Sequence, residues 1–255
     1  MQPPPIDQSE IDARIKDHVA ELLRLWWAEQ GGATKDRDLQ IVSSSLPFTR
    51  DRALRTLDLA CGPGDLGRAI RRNYPDARID FVDRDPLLLS ICRGSNSEAG
   101  VPGTYRQLDL NDESWSRGLP AHHYDVVAAS NALHWLSDVR AEAVLGDVYR
   151  LLDDGGTLLF AEPVSPEAPY ATGFDGWKAR QPSRYEQRNW KAFWDRANSL
   201  LGYDHTALLG SRDESRIGDG MTVRGWIDLV TKRGFRTVDV LWRDADVAIV
   251  AAQKA

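Results

Sequence analysis

Three glycines and three carboxylates carry the chemistry of this chain. In LDLACGPGDLG, residues 57–67, Gly62, Gly64 and Gly67 form a G-x-G-x-x-G. Glycines between a strand and a helix let backbone approach a ligand closely, and the helix N-terminus beyond them favours negative charge. Read literally, this is a dinucleotide loop. Asp58, four residues before Gly62, does not suit that reading. Two unit charges about 4 Å apart interact by roughly 4 kcal/mol in a partly screened site. Against a pyrophosphate that is a penalty; against an ammonium it is a gain. Two further acids end the next strands. Asp83 is spaced to accept hydrogen bonds from two ribose hydroxyls, and Asp109 could accept from an adenine amino group. A ligand with an amino acid at one end, ribose in the middle and adenine at the other suits these acids in this order. S-adenosylmethionine is that molecule, and it adds a sulfonium cation.

A second group of residues could move protons. His134 and Glu162 end the fourth and fifth strands, where a reacting atom would lie, and His134 is of a type that titrates near neutrality. His205, in GYDHTALL, is a third candidate catalytic residue. Each histidine could equally be packed and hydrogen-bonded with no proton to move. Asp65 reads as an acid favoured by the first turn of a helix. Cys61 and Cys92, the only cysteines, are too few and too far apart for a Cys-x-x-Cys site, so reduced thiols and no metal are expected.

The elements that must position these residues alternate. Residues 1–8 are Pro-rich, and 11–30 carry apolar residues at helical spacing, closed by GGATK. From residue 54 the order is strand LRTLDLA, helix GDLGRAIRRNY, strand ARIDFVD, helix PLLLSICRG, strand TYRQLDL, strand YDVVAAS, helix VRAEAVLGDVYRLL and strand TLLFAE. Such repeats mean a parallel sheet with helices on both faces. Residues 163–221 hold no clear strand, one expected helix (RYEQRNWKAFWDRANSLLG) and the aromatic cluster Trp177, Trp190, Phe193 and Trp194, read as that segment's own core or as an acceptor wall. A helix, VRGWIDLVTKRG, follows, and RTVDVLW and DVAIVAAQK close the chain as an antiparallel hairpin. The expected organisation is a helical lid at 1–53 and a ligand-binding domain at 54–255, with a cap inserted at about 163–221.

Taken in order, these motifs resemble those of the class I S-adenosylmethionine-dependent methyltransferases. LDLACGPG resembles the first motif, with Ala60 where glycine is usual. FVDRDP, YRQLDLND, YDVVAASNALHWL, LLDDGGTLLFAEP and the final hairpin resemble the motifs that follow. The resemblance covers about residues 54–162 and 222–253. It implies a seven-stranded Rossmann-like sheet of order 3-2-1-4-5-7-6 with strand 7 antiparallel. It implies Asp58, Ala60, Gly62 and Gly64 near the methionine part, Asp83 with Arg84 at the ribose, Asp109 and Leu110 at adenine, and Asn131 at the tip of strand four. It also implies that an N-terminal helix, through Trp26 or Trp27, lies over the cofactor.

The expected activity is methyl transfer to a small organic acceptor at oxygen, aliphatic nitrogen or carbon. SNALHW in place of an Asn/Asp-Pro-Pro-Tyr-like run disfavours planar amino nitrogens. A net charge of −6 disfavours nucleic acid. No apolar run reaches membrane-spanning length, and no signal pattern opens the chain, so a cytoplasmic protein is expected. A homodimer stays open. So do an NAD-dependent oxidoreductase, an RNA or protein methyltransferase, and a cofactor-binding protein without catalysis.

Overall fold

A computed structural model describes residues 7–29, 33–180, 190–208, 221–244 and 246–255. Seven strands, β1 (Arg55–Leu59), β2 (Arg78–Asp83), β3 (Gly103–Gln107), β4 (Tyr124–Ser130), β5 (Leu152–Pro163), β6 (Thr237–Asp244) and β7 (Val247–Gln253), form one sheet. Its order is β3-β2-β1-β4-β5-β7-β6, with β7 antiparallel to both neighbours, as the motif order implied. The helices are α1 (Gln8–Ile15), α2 (Val19–Glu29), α3 (Ala33–Ser44), α4 (Asp65–Asn73), α5 (Pro86–Glu98), α6 (Asp138–Leu151), α7 (Ala171–Lys178), α8 (Lys191–Leu201) and α9 (Val223–Lys232).

β4 lies at the centre because it is apolar on both faces. Val126 and Ala128 point into a core made with Leu39 and Val42 of α3 and Leu66 and Ile70 of α4. Val127 and Ala129 point the other way, into a core with Val144 and Val148 of α6 and Trp226 and Val230 of α9. Register aligns the tips: Leu59 of β1 pairs with Val82 of β2 and with Ala129 of β4. Ala60, Asp83 and Ser130 therefore leave the sheet along one edge. Among the described residues no helix is long and apolar enough to cross a membrane.

Three features of the helices depart from the sequence pattern or were not visible in it. The apolar spacing over 11–30 is carried by two helices, because the chain turns at Lys16–His18, where the His18 N–H donates to the Ile15 carbonyl at 2.8 Å. α3 had no clear signal in the sequence, yet it packs against α4 and β5. Third, of the segment's aromatics Trp177 stacks on Phe174 of its own α7, while Trp190, Phe193 and Trp194 pack against the N-terminal helices. Phe193, Ala197 and Leu201 of α8 share a cluster with Ile11, Ile15, Val19 and Leu22 of the N-terminal helices and Leu87 and Ile91 of α5. Arg196 of α8 reinforces that contact with two 2.9 Å bonds to the Glu21 carboxylate of α2. Of the helix expected over 184–202, residues 184–189 lie outside the described residues.

Candidate functional site

The glycine loop is built on left-handed backbone. Ala60, Gly62 and Gly64 have φ of 51°, 52° and 83°. Ala60 stands in a conformation that glycine adopts freely and that costs an L-residue roughly 1–2 kcal/mol. Asn131, at the tip of the adjacent β4, has φ 53°. Two neighbouring central strands thus end in strained residues, a pattern that clusters at ligand sites. Ala60→Gly is expected to raise stability by up to about 1 kcal/mol, or ~2–4 °C in melting midpoint.

Asp58 is 1% exposed, and its Oδ2 accepts from the Gly67 N–H at 2.8 Å. An N–H near the start of α4, of the kind a dinucleotide loop would turn to a phosphate, is taken by the chain's own carboxylate. Burial pushes the Asp58 carboxyl up to about 7, against the Gly67 bond, which lowers it. Gly67 allows this close packing: a Cβ there would lie 2.3 Å from the Phe81 ring and 3.0 Å from Asp58 Oδ2. Gly67→Ala should therefore cost about 1–3 kcal/mol in a thermal melt, because Phe81 is buried and cannot move aside.

Asp83 is held at two points. Its Oδ2 accepts from Gly62 N–H at 2.8 Å and its Oδ1 from Asp85 N–H at 2.9 Å. Burial raises its carboxyl to about 6, with the two backbone bonds pulling the other way. Arg84 is exposed, and its carbonyl accepts from the Gln107 amide at 3.1 Å. Asp109 is exposed and closes a turn by accepting from Asn111 N–H at 2.9 Å, while Leu110 is buried in the core below. Cys61 and Cys92 are free thiols in mutual contact beside the loop, and burial pushes the Cys61 thiol well up.

The other half of the site centres on Glu162, which is fully buried. Its Oε1 accepts from the Ala132 and Leu133 N–H groups, each at 2.9 Å. Its Oε2 lies 2.6 Å from His134 Nδ1. The carboxylate thus folds the turn after β4 and orients the imidazole, placing the Nδ1 proton toward itself and leaving Nε2 as the ring's acceptor. His205 is not brought to this pair. Its ring is fully buried against Asp85 on the β2 side, with Nε2 2.8 Å from Asp85 Oδ1.

Of the two tryptophans expected over the site, Trp26 is the one at the loop; Lys35 and Asp85, further neighbours, had no place in the sequence reading. Trp26 covers the glycine loop: a Cβ on Gly62 would meet its ring at 3.4 Å. It also packs on Trp190 and Phe193, with ring centroids 4.7 and 5.3 Å away. Trp27 turns instead to the sheet-face core, so the two tryptophans serve two different bodies. Lys35 of α3 is buried, with Nζ 2.5 Å from Ser130 Oγ at the tip of β4. Asp85 caps α5 by accepting from Leu87 N–H at 2.8 Å.

Comparison with known proteins shows what the chain is similar to. Residues 56–156 match the sequence model described as "Methyltransferase domain". A trans-aconitate 2-methyltransferase of Mycobacterium ulcerans is 37% identical over 87 residues, 34% of this chain and 29% of that protein. One of Streptomyces avermitilis is 32% identical over 126 residues, 47% of this chain and 42% of that protein. The matched stretches span less than half of either relative. The structure of human N-acetylserotonin methyltransferase in complex with S-adenosylmethionine superposes with a TM-score of 0.56 at 15% identity, covering 94% of this chain and 57% of that one. An O-methyltransferase family protein from Burkholderia thailandensis gives 0.57 at 16%, covering 87% and 56%. At such identities the structures establish the fold. Residues 56–156 thus match a methyltransferase domain, and the sheet they help to build has the Rossmann-like fold of these methyltransferase structures.

Proposed function

We propose that this protein transfers a methyl group from S-adenosylmethionine to a small organic acceptor. The observation that carries the reading is the loop's electrostatics. Two buried carboxyls, raised to about 7 and about 6, surround a helix start already occupied by one of them. That environment fits a ligand bearing an ammonium and hydroxyl donors, and it opposes the diphosphate of a nicotinamide dinucleotide. When bound, S-adenosylmethionine supplies a methyl already activated on a sulfonium.

The chain's residues then divide the remaining work. Asp58, Ala60, Gly62 and Gly64 receive the methionine end, Asp83 the ribose hydroxyls, and Asp109 and Leu110 the adenine, with Arg84 flanking and Asn131 flooring the crevice. Trp26 closes the lid over the loop, and α7 and α8 of the inserted segment form the cap. Together they exclude water and align the acceptor, which can lower a barrier by roughly 7–11 kcal/mol. His134, oriented by Glu162, takes the proton from a hydroxyl or amine acceptor. A second acceptor chemistry is favoured by buried Lys35 at the β4 tip and by the relatives named for trans-aconitate. A carboxylate needs a cation beside it and no base. His134→Gln should abolish transfer to hydroxyls or amines and spare carboxylates, while Lys35→Met should do the reverse. A net charge of −6 supports a small-molecule partner over nucleic acid, and two unbonded thiols in contact support a reducing, cytoplasmic setting.

Titration calorimetry tests the reading: S-adenosylmethionine should bind and NADH should not. Asp83→Ala should weaken that binding at least tenfold, the loss of a charged hydrogen bond being worth roughly 1.5–3 kcal/mol. NADH binding with S-adenosylmethionine ignored would overturn the assignment.

A further inference from the structure

A continuous hydrogen-bonded path joins the inserted segment to the glycine loop. Tyr203 Oη lies 3.3 Å from His205 Nδ1. His205 Nε2 lies 2.8 Å from Asp85 Oδ1. The Asp85 N–H donates to Asp83 Oδ1 at 2.9 Å, and the Gly62 N–H donates to Asp83 Oδ2 at 2.8 Å. One tautomer satisfies the histidine: Nδ1 accepts from the Tyr203 hydroxyl and Nε2–H donates to Asp85. The ring is fixed further by stacking on Trp194, with centroids 6.2 Å apart and planes at 19°.

The arrangement is asymmetric at Asp85. This carboxylate is 3% exposed, and its Oδ2 is buried with no hydrogen-bond partner among the described residues. Its Oδ1 carries the whole load: it caps α5 through Leu87 N–H and it receives His205. A buried carboxylate that is only half satisfied depends strongly on each donor it has. The residue that supplies one of those donors comes from the inserted segment, whose α8 rests on α1, α2 and the Leu87–Ile91 face of α5. The Asp85 backbone, in turn, is one of the two groups that hold the Asp83 carboxylate.

We infer that His205 is a positioning residue that couples docking of the inserted segment to cofactor affinity through Asp85 and Asp83. The inference rests on the reading of Asp83 as the ribose acid. With His205 in place, Asp85 is fixed, and its N–H sets the Asp83 carboxylate at the angle the ribose hydroxyls require. Withdrawal of the segment frees the Asp85 side chain and loosens that carboxylate. Linkage makes the effect reciprocal: a ligand held by Asp83 stiffens the turn Asp83–Pro86 and favours the docked segment by the same factor.

The test is calorimetric titration of the full chain with S-adenosylmethionine, paired with thermal melts. His205→Leu removes the donor and is expected to raise Kd about tenfold, the order of one hydrogen bond to a charged group. His205→Gln keeps an N–H near the Nε2 position and is expected to restore Kd to within about threefold of the wild type, which a packing role for the ring would not do. In the wild type, saturating S-adenosylmethionine should slow amide hydrogen exchange across α8 and at His205 and Thr206. That measurement decides the matter even if His205→Leu fails to fold. Wild-type binding with unchanged Kd in a folded His205→Leu, or with unchanged exchange in α8, overturns the coupling alone. No wild-type binding at all overturns the cofactor reading, and this inference with it.

Discussion

Affinity for S-adenosylmethionine is expected to fall by about two to three powers of ten between pH 8 and pH 5. In the proposed binding mode Asp58 and Asp83 must both be ionised to meet an ammonium and two hydroxyl donors. In the unbound protein burial lifts them to about 7 and about 6, from an ordinary value of 3.8. At pH 5 about one Asp58 in a hundred and about one Asp83 in ten is ionised, so about 4 kcal/mol of the binding free energy goes into removing protons. Binding near neutrality should therefore release protons. Calorimetry in two buffers of different ionisation enthalpy reads that number directly.

The same shifts set the stability of the unbound protein with a definite sign. Each carboxyl holds its proton in the folded chain at pH values where the unfolded chain has lost it. The stability this contributes is complete below about pH 4 and is lost as pH rises through 6 to 7. The ligand-induced rise in melting midpoint should therefore grow with pH across that window. A flat pH profile of Kd would show that neither acid meets the ligand in its charged form.

Glu162→Ala is expected to cost about 3–5 kcal/mol of stability, roughly 10 °C in melting midpoint, and to abolish methyl transfer with it. The carboxylate is fully buried and serves the Ala132 and Leu133 N–H groups and the His134 ring at once. Its removal strands those donors at the turn that floors the acceptor side. Glu162→Gln separates the two roles. The amide oxygen still accepts from the backbone, so the fold should largely survive. The amide N–H, however, now faces His134 Nδ1 and drives the imidazole proton to Nε2, where the base must be free. Transfer to a hydroxyl or amine should then drop by about 10²–10⁴-fold at unchanged S-adenosylmethionine affinity. Full activity of Glu162→Gln on such an acceptor would remove His134 from the mechanism.

The sheet was legible because its strands are short apolar runs set between helix signals. YDVVAAS is buried on both faces, and the three acids fall at the strand ends where the alternation places them. What stayed hidden was whatever depends on contacts between distant residues. Nothing in ATKDRDLQIVSS announces a buried helix, since its Lys35 and Asp38 are charged and buried against other elements. α7 is masked by Gly173 and Gly176, which lower helix propensity. The bond between Asp58 and Gly67, the tie of His134 to Glu162 and the meeting of His205 with Asp85 all join residues that share no local pattern. The first of these turned an acid read only as a ligand contact into a brace for the loop as well. The second made two separate catalytic candidates into a single unit. The third moved a candidate base to the far side of the crevice.

The brace from Gly67 to Asp58 also bears on selectivity in a crowded metabolite pool. Adenosine is the shared handle of many small molecules, and a cradle for adenine and ribose alone sorts them poorly. By taking the Gly67 N–H in the first turn of α4 with its own side chain, Asp58 sets a negative group where a phosphate would sit, a basis for discrimination by charge sign before shape enters. On that reading a polyanionic nucleotide such as ATP should bind far more weakly than S-adenosylmethionine, and more weakly still as pH rises and both acids ionise.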